Sequence, residues 1–420
     1  MEGHHKRRGV CEEDRRRFMK KILIFSLAYY PRVGGAEVAI KEITDRIRDI
    51  EFHMVTHRFD ASAPAQEKIG NVLVHRIGSG SSYVSKILFI LRAARFARAL
   101  DREHHYDALW AMMVYMTLPI TLMRLFDTRI PYLLTLQEGD PYEHVFSRWY
   151  IRIFLPLLSA GFRHARVAQA ISTYLAEWAK QYGFKGTPRV IPNGVDTKHF
   201  SQTYPPAVLN ELKDTLGKKM GDVFLVTTSR LVKKNAVDDV IRALRQLPTH
   251  VRFLIIGSGP DEAMLKKLAQ TCGVTERVTF LGHVDHAELP KYLSVSDIFI
   301  RPSRSEGMGN SFIEAFAAGL PVIATQEGGI ADFLFDEKRN SDKPITGWAV
   351  DKDSPKQIAQ AVEEIMARSE KVRAVTATAR QIAVAQYDWN LIAKRMNDEA
   401  FRALFETMPV SATISPRKPQ

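Results

Sequence analysis

Residues 306–325 read EGMGNSFIEAFAAGLPVIAT, and they decide the fold of the region around them. An apolar run just upstream predicts a buried strand of a parallel sheet, the glycines at 307 and 309 predict a loop, and the alanine-rich run predicts a helix. A helix N-terminus with free N–H groups binds anions. The pattern therefore predicts an anion site, suited to a diphosphate, that is flanked by the carboxylates of Glu306 and Glu314.

Glu314 also fits a purely structural interpretation. Ser311 and Glu314 have the spacing of a capping box, in which the glutamate hydrogen-bonds back to the start of the helix. A cap does not require Glu306 or the two glycines. Because one carboxylate has two oxygens, a cap and a contact to a ribose hydroxyl can coexist, and both interpretations stay open.

The same window resembles the signature of the retaining, nucleotide-sugar-dependent glycosyltransferases of family four. That signature is a glutamate, seven residues, a second glutamate, an alanine-rich helix and a Gly-x-Pro-hydrophobic strand, and residues 306–325 match each part. The resemblance implies a GT-B fold, in which two doubly wound Rossmann-like domains face a cleft. It also implies retaining transfer of a sugar from a nucleoside-diphosphate sugar to a hydroxyl of a glycan or lipid-linked acceptor, without a cofactor.

Strand and helix patterns alternate along both halves of the chain, which predicts the α/β class with mostly parallel sheets. A chain of 420 residues is too long for one ordinary core and suits two domains. The predicted division is a disordered basic tail over 1–20, an N-terminal acceptor-side domain over 21–196, a C-terminal nucleotide-sugar-binding domain over 197–387, a helix over 388–408 that returns to the first domain, and a disordered tail over 409–420. In such sheets ligands bind beyond the carboxyl ends of the strands, so a shared substrate would lie in the cleft.

A cationic loop follows the first predicted strand of the second half. Arg230 and Lys234 stand between a strand and a helix, where they could meet a phosphate, although lysines before a helix are usually solvated. The resemblance implies that an arginine and a lysine of this loop clamp the diphosphate. The family's lysine position is Asn235 here, so the role falls to the neighbouring Lys234. The resemblance thus assigns catalysis to Glu306, Arg230 and Lys234.

The resemblance also distributes binding roles along the cleft. On the donor side it implies contacts to the nucleotide sugar from Glu314, Gly307, Met308, Gly309, Asn310, Ser311, Gly257, Gly282, His283 and Val284. On the acceptor side it implies Gly34, Gly35, Glu37, Gln137 and Glu138. Considered as residues alone, the glycines are ordinary tight turns and His283 is a structural or solvent residue.

One acceptor-side position departs from the family pattern. Many relatives carry a histidine where this chain has Gln137, and glutamine cannot act as a base near neutral pH. If the reaction needs a base, Glu138 or Asp140 are the local candidates. Their structural interpretation is a solvated loop that forms a turn.

The sequence offers little for a metal ion. Asp351-Lys352-Asp353 is a DxD string, but it lies in a loop between a strand and a helix, and no His/Cys cluster has ligand spacing. We therefore predict metal independence, with backbone dipoles, Arg230 and Lys234 supplying the positive charge. The two cysteines, Cys11 and Cys272, predict a reducing compartment without a disulfide framework.

The net charge of +12 comes mainly from the first 200 residues, which hold 30 lysines and arginines against 20 acidic residues. Basic surfaces attract nucleic acid, anionic membranes or acidic substrates, and the absence of a nucleic-acid-binding motif argues against the first. Two basic amphipathic segments, 84–102 and 146–166, favour peripheral contact with an anionic membrane, although helices that pack on a sheet explain them equally well. The charged start predicts no secretory signal, and hence a cytoplasmic protein at the inner membrane surface.

Two other functions fit part of the pattern. A nucleotide-sugar epimerase of the same fold would bind a similar donor without an acceptor, and the Glu-x7-Glu spacing argues against it. A non-catalytic, sugar-nucleotide-binding partner protein is allowed by Gln137 and Asn235, the two departures from the family pattern.

Overall fold

The computed structural model describes residues 19–126, 128–140 and 154–406. Nearly all of the predicted tail over 1–20 and the whole tail over 409–420 lie outside these residues. So do residues 146–153, the first part of one predicted membrane-contacting segment.

The first domain is built on an eight-stranded sheet. Its strands are β1 Lys20–Phe25, β2 Ile50–His57, β3 Gln66–Ile69, β4 Val72–Ile77, β5 Ala108–Met112, β6 Tyr132–Leu136, β7 Val167–Ala170 and β8 Arg189–Val190. Their order is β3-β4-β2-β1-β5-β6-β7-β8, and every pair is parallel except β3 with β4. The central strand β1 is apolar on both faces, because helices cover both sides of the sheet.

The second domain is built on a six-stranded, fully parallel sheet. Its strands are β9 Val223–Thr228, β10 Val251–Ile256, β11 Val278–Gly282, β12 Ile298–Arg301, β13 Val322–Ala324 and β14 Trp348–Ala349. Their order is β11-β10-β9-β12-β13-β14. The prediction of an α/β protein with two doubly wound domains is confirmed.

Helices connect the strands and cover the sheets. In the first half they span Gly35–Arg46, Tyr83–His104, Thr117–Arg124, Leu155–His164, Thr173–Gln181 and Thr197–Phe200. In the second half they span Pro206–Thr215, Val237–Ala243, Glu262–Thr271, Leu289–Ser294, Asn310–Ala318, Pro355–Ala367 and Ser369–Gln386. None of the helices within the described ranges is long and apolar enough to cross a membrane.

The chain ends in a helical segment that packs on the first domain. Helix Trp389–Arg395 continues through a wider π-helical turn, Met396–Phe401, into the short helix Arg402–Phe405. The Phe401 ring lies 5.1 Å from the ring of Trp110 in β5 and 5.8 Å from that of Phe52 in β2. The two domains are therefore tied together by a second crossing of the chain.

This crossing carries a stability prediction. Phe401 is completely buried, so Phe401→Ala is expected to lower the free energy of unfolding of the first domain by about 3–5 kcal/mol, through lost burial and the cavity that remains. Urea unfolding followed by tryptophan fluorescence measures the change. Arg402→Ala, at the next residue, is the matched control. The Arg402 side chain is 64% exposed, so its removal should change the free energy of unfolding by no more than about 0.5 kcal/mol. Equal stabilities of the two variants would contradict a stabilising contact.

Candidate functional site

A cavity of about 1070 Å³ lies between the two domains, at the carboxyl ends of the strands of both sheets. It brings together most of the predicted site residues. These are Gly34, Gly35, Glu37 and Gln137 from the first domain, and Arg230, Lys234, Glu306, Gly307, Met308, Gly309, Asn310 and Glu314 from the second. The remaining predicted residues, Glu138, Gly257, Gly282, His283, Val284 and Ser311, do not line this cavity.

Glu306 is held in place by a buried arginine. Its Oε2 accepts a hydrogen bond from Nη2 of Arg301 at 2.6 Å, and its Oε1 accepts from the amide of Gly307 at 3.1 Å. The Arg301 side chain is only 7% exposed and stacks over the ring of Phe312, with 4.2 Å between the guanidinium carbon and the ring centre. Burial lowers the pKa of Arg301, with Glu306 and Glu314 opposing that shift, and arginine remains charged at neutral pH.

The loop after Glu306 contains two glycines, and each is required for a different physical reason. A Cβ atom on Gly307 would lie 2.3 Å from the carbonyl oxygen of Glu138, so only glycine lets the loop approach the first domain this closely. Gly309 has φ of 88°, in the left-handed region that favours glycine. Between them, the buried Met308 accepts a hydrogen bond on its sulfur from the amide of Asn193 at 3.2 Å. The loop is therefore an interdomain contact as well as a cavity wall.

Helix Asn310–Ala318 starts in the cavity wall without a side-chain cap. Its N-cap residue is Gly309, which has no side chain to offer, so the capping-box interpretation of Ser311 and Glu314 is wrong. The Ser311 hydroxyl instead accepts from Nη1 of Arg301 at 2.8 Å. Because the first amides of a helix have no carbonyl four residues earlier, this N-terminus keeps donors available for an anion.

Glu314 has a histidine of the same domain as its partner in the cavity wall. Its Oε1 lies 3.3 Å from Nε2 of His286, and both residues line the cavity. The hydrogen bond to Glu314 raises the pKa of His286 above its usual value, against the opposing effect of burial. The carboxylate is therefore turned towards the cavity and already accepts one hydrogen bond there.

Lys234 and Asn235 of the cationic loop have different partners. Lys234 Nζ reaches the first domain, donating to the carbonyl oxygen of Gly139 at 2.8 Å and lying 3.1 Å from Oδ1 of Asp140. Asn235 is buried and donates its side-chain amide to the carbonyl oxygen of Arg230 at 2.6 Å. Asn235 thus shapes the loop, while the exposed Arg230 and the half-buried Lys234 carry the positive charge of this wall.

On the first-domain side, Glu37 acts as a helix cap. Its Oε2 accepts from the amide of Gly34 at 2.8 Å, at the start of helix Gly35–Arg46, and burial raises its pKa. Gln137 forms a reciprocal amide pair with Asn193, with contacts of 2.9 and 3.2 Å. Both residues line the cavity, but their polar atoms are committed to the protein.

Glu138 is buried and does not line the interdomain cavity. Its two oxygens accept from the amides of Val114 at 2.7 Å and Gln137 at 2.9 Å, and its exposure is only 3%. Burial raises its pKa to about 7, although these amides lower it. The structure therefore gives Glu138 a positioning contact beside Met113, whose φ of 73° is rare for a residue with a side chain.

The four donor-side residues at β10 and β11 cluster away from the cavity. The Gly257 amide donates to the Gly282 carbonyl at 2.7 Å, and a Cβ atom on Gly257 would lie 2.0 Å from the Ser229 carbonyl oxygen. His283 is 80% exposed and faces Asp285. These glycines join neighbouring strand ends, while His283 and Val284 directly follow β11.

The aspartates of the DxD string have separate partners. Asp351 pairs with Arg339 at 2.9 Å, and Asp353 with Arg304 at 2.6 Å. Across the described ranges, no group of three or more His, Cys, Asp or Glu side chains has the geometry of a metal site.

Two site residues escaped prediction from the sequence. Arg301 ends the apolar strand β12, where a charged residue directly after three buried apolar ones is a signal that could have been used. His286 lies in a loop 28 positions before Glu314, and nothing in the sequence pattern connects the two.

Comparisons with known proteins agree with this architecture. A model described as Glycosyltransferase Family 4 matches residues 33–199, and one described as Glycosyl transferases group 1 matches residues 210–382. Sucrose-phosphate synthase from Thermosynechococcus elongatus superposes with a TM-score of 0.77 at 21% identity, over 92% of this chain and 99% of that one. Anabaena HepE in complex with UDP and glucose superposes with a TM-score of 0.72 at 21% identity, over 91% and 100%.

Curated relatives are similar in sequence. The chain is 34% identical over 245 residues to a GDP-mannose-dependent alpha-(1-6)-phosphatidylinositol monomannoside mannosyltransferase of Mycobacterium tuberculosis, covering 55% of this chain and 60% of that protein. It is 26% identical over 340 residues to the alpha-monoglucosyldiacylglycerol synthase of Acholeplasma laidlawii, covering 76% and 83%. The chain thus spans about 60% of the length of the first relatives that it matches.

Fold and cleft together define a GT-B protein. Because one family model matches each of its two domains, the chain belongs to the glycosyltransferases with a family 4 domain followed by a group 1 domain. The predicted family resemblance and the GT-B fold are confirmed.

Proposed function

We propose that the protein is a retaining, metal-independent glycosyltransferase that moves a sugar from a nucleoside-diphosphate sugar to a hydroxyl of a glycan or lipid-linked acceptor. One observation carries the proposal. Glu306 and Glu314 flank the N-terminus of helix Asn310–Ala318 in an interdomain cavity that is also lined by Arg230 and Lys234 of the same domain. Cations and a helix N-terminus suit a diphosphate, and the two carboxylates suit the hydroxyl groups attached to it.

The positive charge for the leaving diphosphate would come from the protein. Arg230 offers a fork of N–H donors, and the helix offers its first amides. Lys234 would exchange its contacts with Gly139 and Asp140 for phosphate oxygens. Because these donors surround the place where charge develops, they supply the electrostatic stabilisation that a metal ion supplies in other enzymes.

The proposed transfer occurs on one face of the sugar. The bond between the anomeric carbon and the diphosphate oxygen breaks, the acceptor oxygen bonds to the same face of that carbon, and the acceptor's proton passes to the leaving phosphate. Glu314 would accept hydrogen bonds from the ribose, and Glu306 would orient the sugar from a position fixed by Arg301. Preorganised charges of this kind act only if their geometry is set before the reaction.

The relatives support both substrates of the proposal. The Mycobacterium tuberculosis protein is named for GDP-mannose and a phosphatidylinositol mannoside, and the Acholeplasma laidlawii protein for a glucosyldiacylglycerol. Together with the basic first half of the chain, they favour a lipid-linked acceptor and a cytoplasmic protein bound peripherally to the inner membrane surface.

Nucleotide release from a donor panel tests the function. UDP-, GDP- and ADP-sugars are incubated with and without acceptors, namely phosphatidylinositol or diacylglycerol in anionic vesicles and soluble oligosaccharides, in the presence of EDTA. We expect one donor to release its nucleotide only when an acceptor is added, at a rate that EDTA does not change. Sugar conversion without release would show an epimerase, binding without conversion would show a non-catalytic partner protein, and inhibition by EDTA would contradict metal independence.

A further inference from the structure

A second cavity, of about 580 Å³, lies wholly in the first domain. It is bounded by helices Tyr83–His104, Thr117–Arg124 and Leu155–His164. Apolar side chains form most of its wall, including Ile87, Ile90, Leu91, Leu118, Leu122 and Leu157. A wall of this kind offers an occupant hydrophobic contact rather than hydrogen bonds, which suits a hydrocarbon.

The inner end of this groove meets the interdomain cavity. Met113, Gly139 and Asp140 line both spaces, so the two are neighbours that share a wall. Met113 has φ of 73° and ψ of 157° there, a combination that is rare for a residue with a side chain, and strain of this kind concentrates at functional positions. A molecule lying in the groove therefore has one end at the place where the proposed transfer occurs.

The outer end of the groove is marked by exposed apolar side chains. Ile87 and Leu91 are 49% and 57% exposed, and Phe154 across the groove is 42% exposed. Ile87 and Leu91 lie on helix Tyr83–His104. This helix also carries Lys86 at the groove and, further along, the arginines Arg92, Arg95, Arg98 and Arg102. Exposed apolar residues beside cations are typical of a helix that contacts an anionic lipid surface.

We propose that this groove binds an acyl chain of the acceptor, and that the acceptor is consequently an acylated lipid. The inference rests on the proposed function, because it needs the neighbouring cavity to be the transfer site. An acyl chain satisfies the apolar wall, the cations match an anionic lipid surface at the outer end, and the shared wall places the lipid's polar head beside the donor sugar. The soluble oligosaccharides of the donor panel lack this chain and would be poor acceptors.

Binding of single-chain lipids below their micelle concentration tests the groove without a membrane. The probes are lysophosphatidylglycerols with acyl chains of six, eight and ten carbons, with glycerophosphoglycerol as the chainless reference, and calorimetry gives their Kd. We expect Kd to fall by up to about fourfold for each added methylene, the equivalent of its transfer from water. Equal Kd values for all four probes would contradict acyl-chain binding in the groove, because they would show recognition of charge alone.

Variants of neighbouring residues locate the bound chain. Ile87→Glu places a charge in the groove, while Leu88→Glu places the same charge on the same helix at a residue that is 40% exposed and does not line the groove. We expect Ile87→Glu to raise the Kd of the ten-carbon probe at least tenfold and Leu88→Glu to change it less than twofold. Leu91→Glu serves as a second groove variant if Ile87→Glu does not fold, as judged by its thermal unfolding.

Other outcomes distinguish a failure of acyl-chain binding in the groove from a failure of the proposed glycosyltransferase function. Equal losses in the Ile87 and Leu88 variants would overturn the groove, and so would a dimer in solution that only Ile87→Glu dissociates, because the occupant would then be a second copy of the chain. Acceptor-dependent release in the donor panel with no chain-length effect would overturn the groove and leave the function standing. Chain-length-dependent binding with no release from any donor would overturn the function instead.

Discussion

Glu306→Gln is expected to lower kcat by about two to three orders of magnitude with little change in the Kd of the nucleotide. The carboxylate uses one oxygen for Arg301 and the other for the Gly307 amide, so its charge stands at a fixed point of the cavity wall. Glutamine removes that charge, and its NH2 group cannot accept a hydrogen bond from either donor. Loss of one preorganised electrostatic group at a reacting centre has this order of effect. Steady-state kinetics with the donor identified by the panel measures the change.

The control separates catalysis from stability. Glu306→Gln leaves the buried Arg301 without its carboxylate, which can cost about 3–5 kcal/mol in unfolding free energy. The double variant Arg301→Met, Glu306→Gln removes the unpaired charge and should regain stability without regaining kcat. Glu327→Gln, at a half-buried carboxylate that pairs with Lys352 and does not line the cavity, should leave kcat unchanged. A double variant with wild-type kcat would contradict a direct role for Glu306.

Much of the fold follows from local sequence, because buried parallel strands leave continuous apolar runs. The apolar runs at 22–25, 253–256 and 298–300 lie in β1, β10 and β12. The edge strand β3 escaped prediction, since its alternation of exposed and half-buried residues has no apolar run. Helix Thr117–Arg124 also escaped, because its buried apolar residues have no polar face to show a helical period.

The site was predictable where a backbone shape demanded particular residues, and less so where partners met across the fold. The glycines at 307 and 309 predicted a loop, and the loop is present, with Gly307 close to the first domain and Gly309 at a positive φ. The capping box failed although its spacing was correct, because Gly309 occupies the N-cap position and Arg301 takes the Ser311 hydroxyl. Lys234 was expected to face a phosphate, but its contact with Gly139 depends on the distance between two domains, which no local pattern encodes.

Glu314→Gln is expected to raise the Kd of the donor nucleotide about 10- to 100-fold, with a smaller effect on kcat. A hydrogen bond to a charged acceptor contributes about 1.5–3 kcal/mol, and the amide replaces one such acceptor by a donor. Calorimetric titration with the nucleoside diphosphate measures the loss. Unchanged affinity in a folded Glu314→Gln variant would exclude the proposed contact to the ribose.

The histidine beside Glu314 adds a pH dependence whose sign can be derived. The pKa of His286 is raised by its bond to Glu314, so the pair is fully formed below the ordinary histidine pKa of about 6.5 and is lost as pH rises through the higher folded-state pKa. Asp196 and Glu42 add to this attraction, and the ring of His199 stacks at 5.8 Å. The unliganded protein should therefore gain stability as pH falls through this range. Its nucleotide affinity should fall over the same range, because the protonated ring competes with the ribose for Glu314. Both trends should flatten in His286→Asn, and donor affinity that stays level with pH in the wild type would contradict the competition.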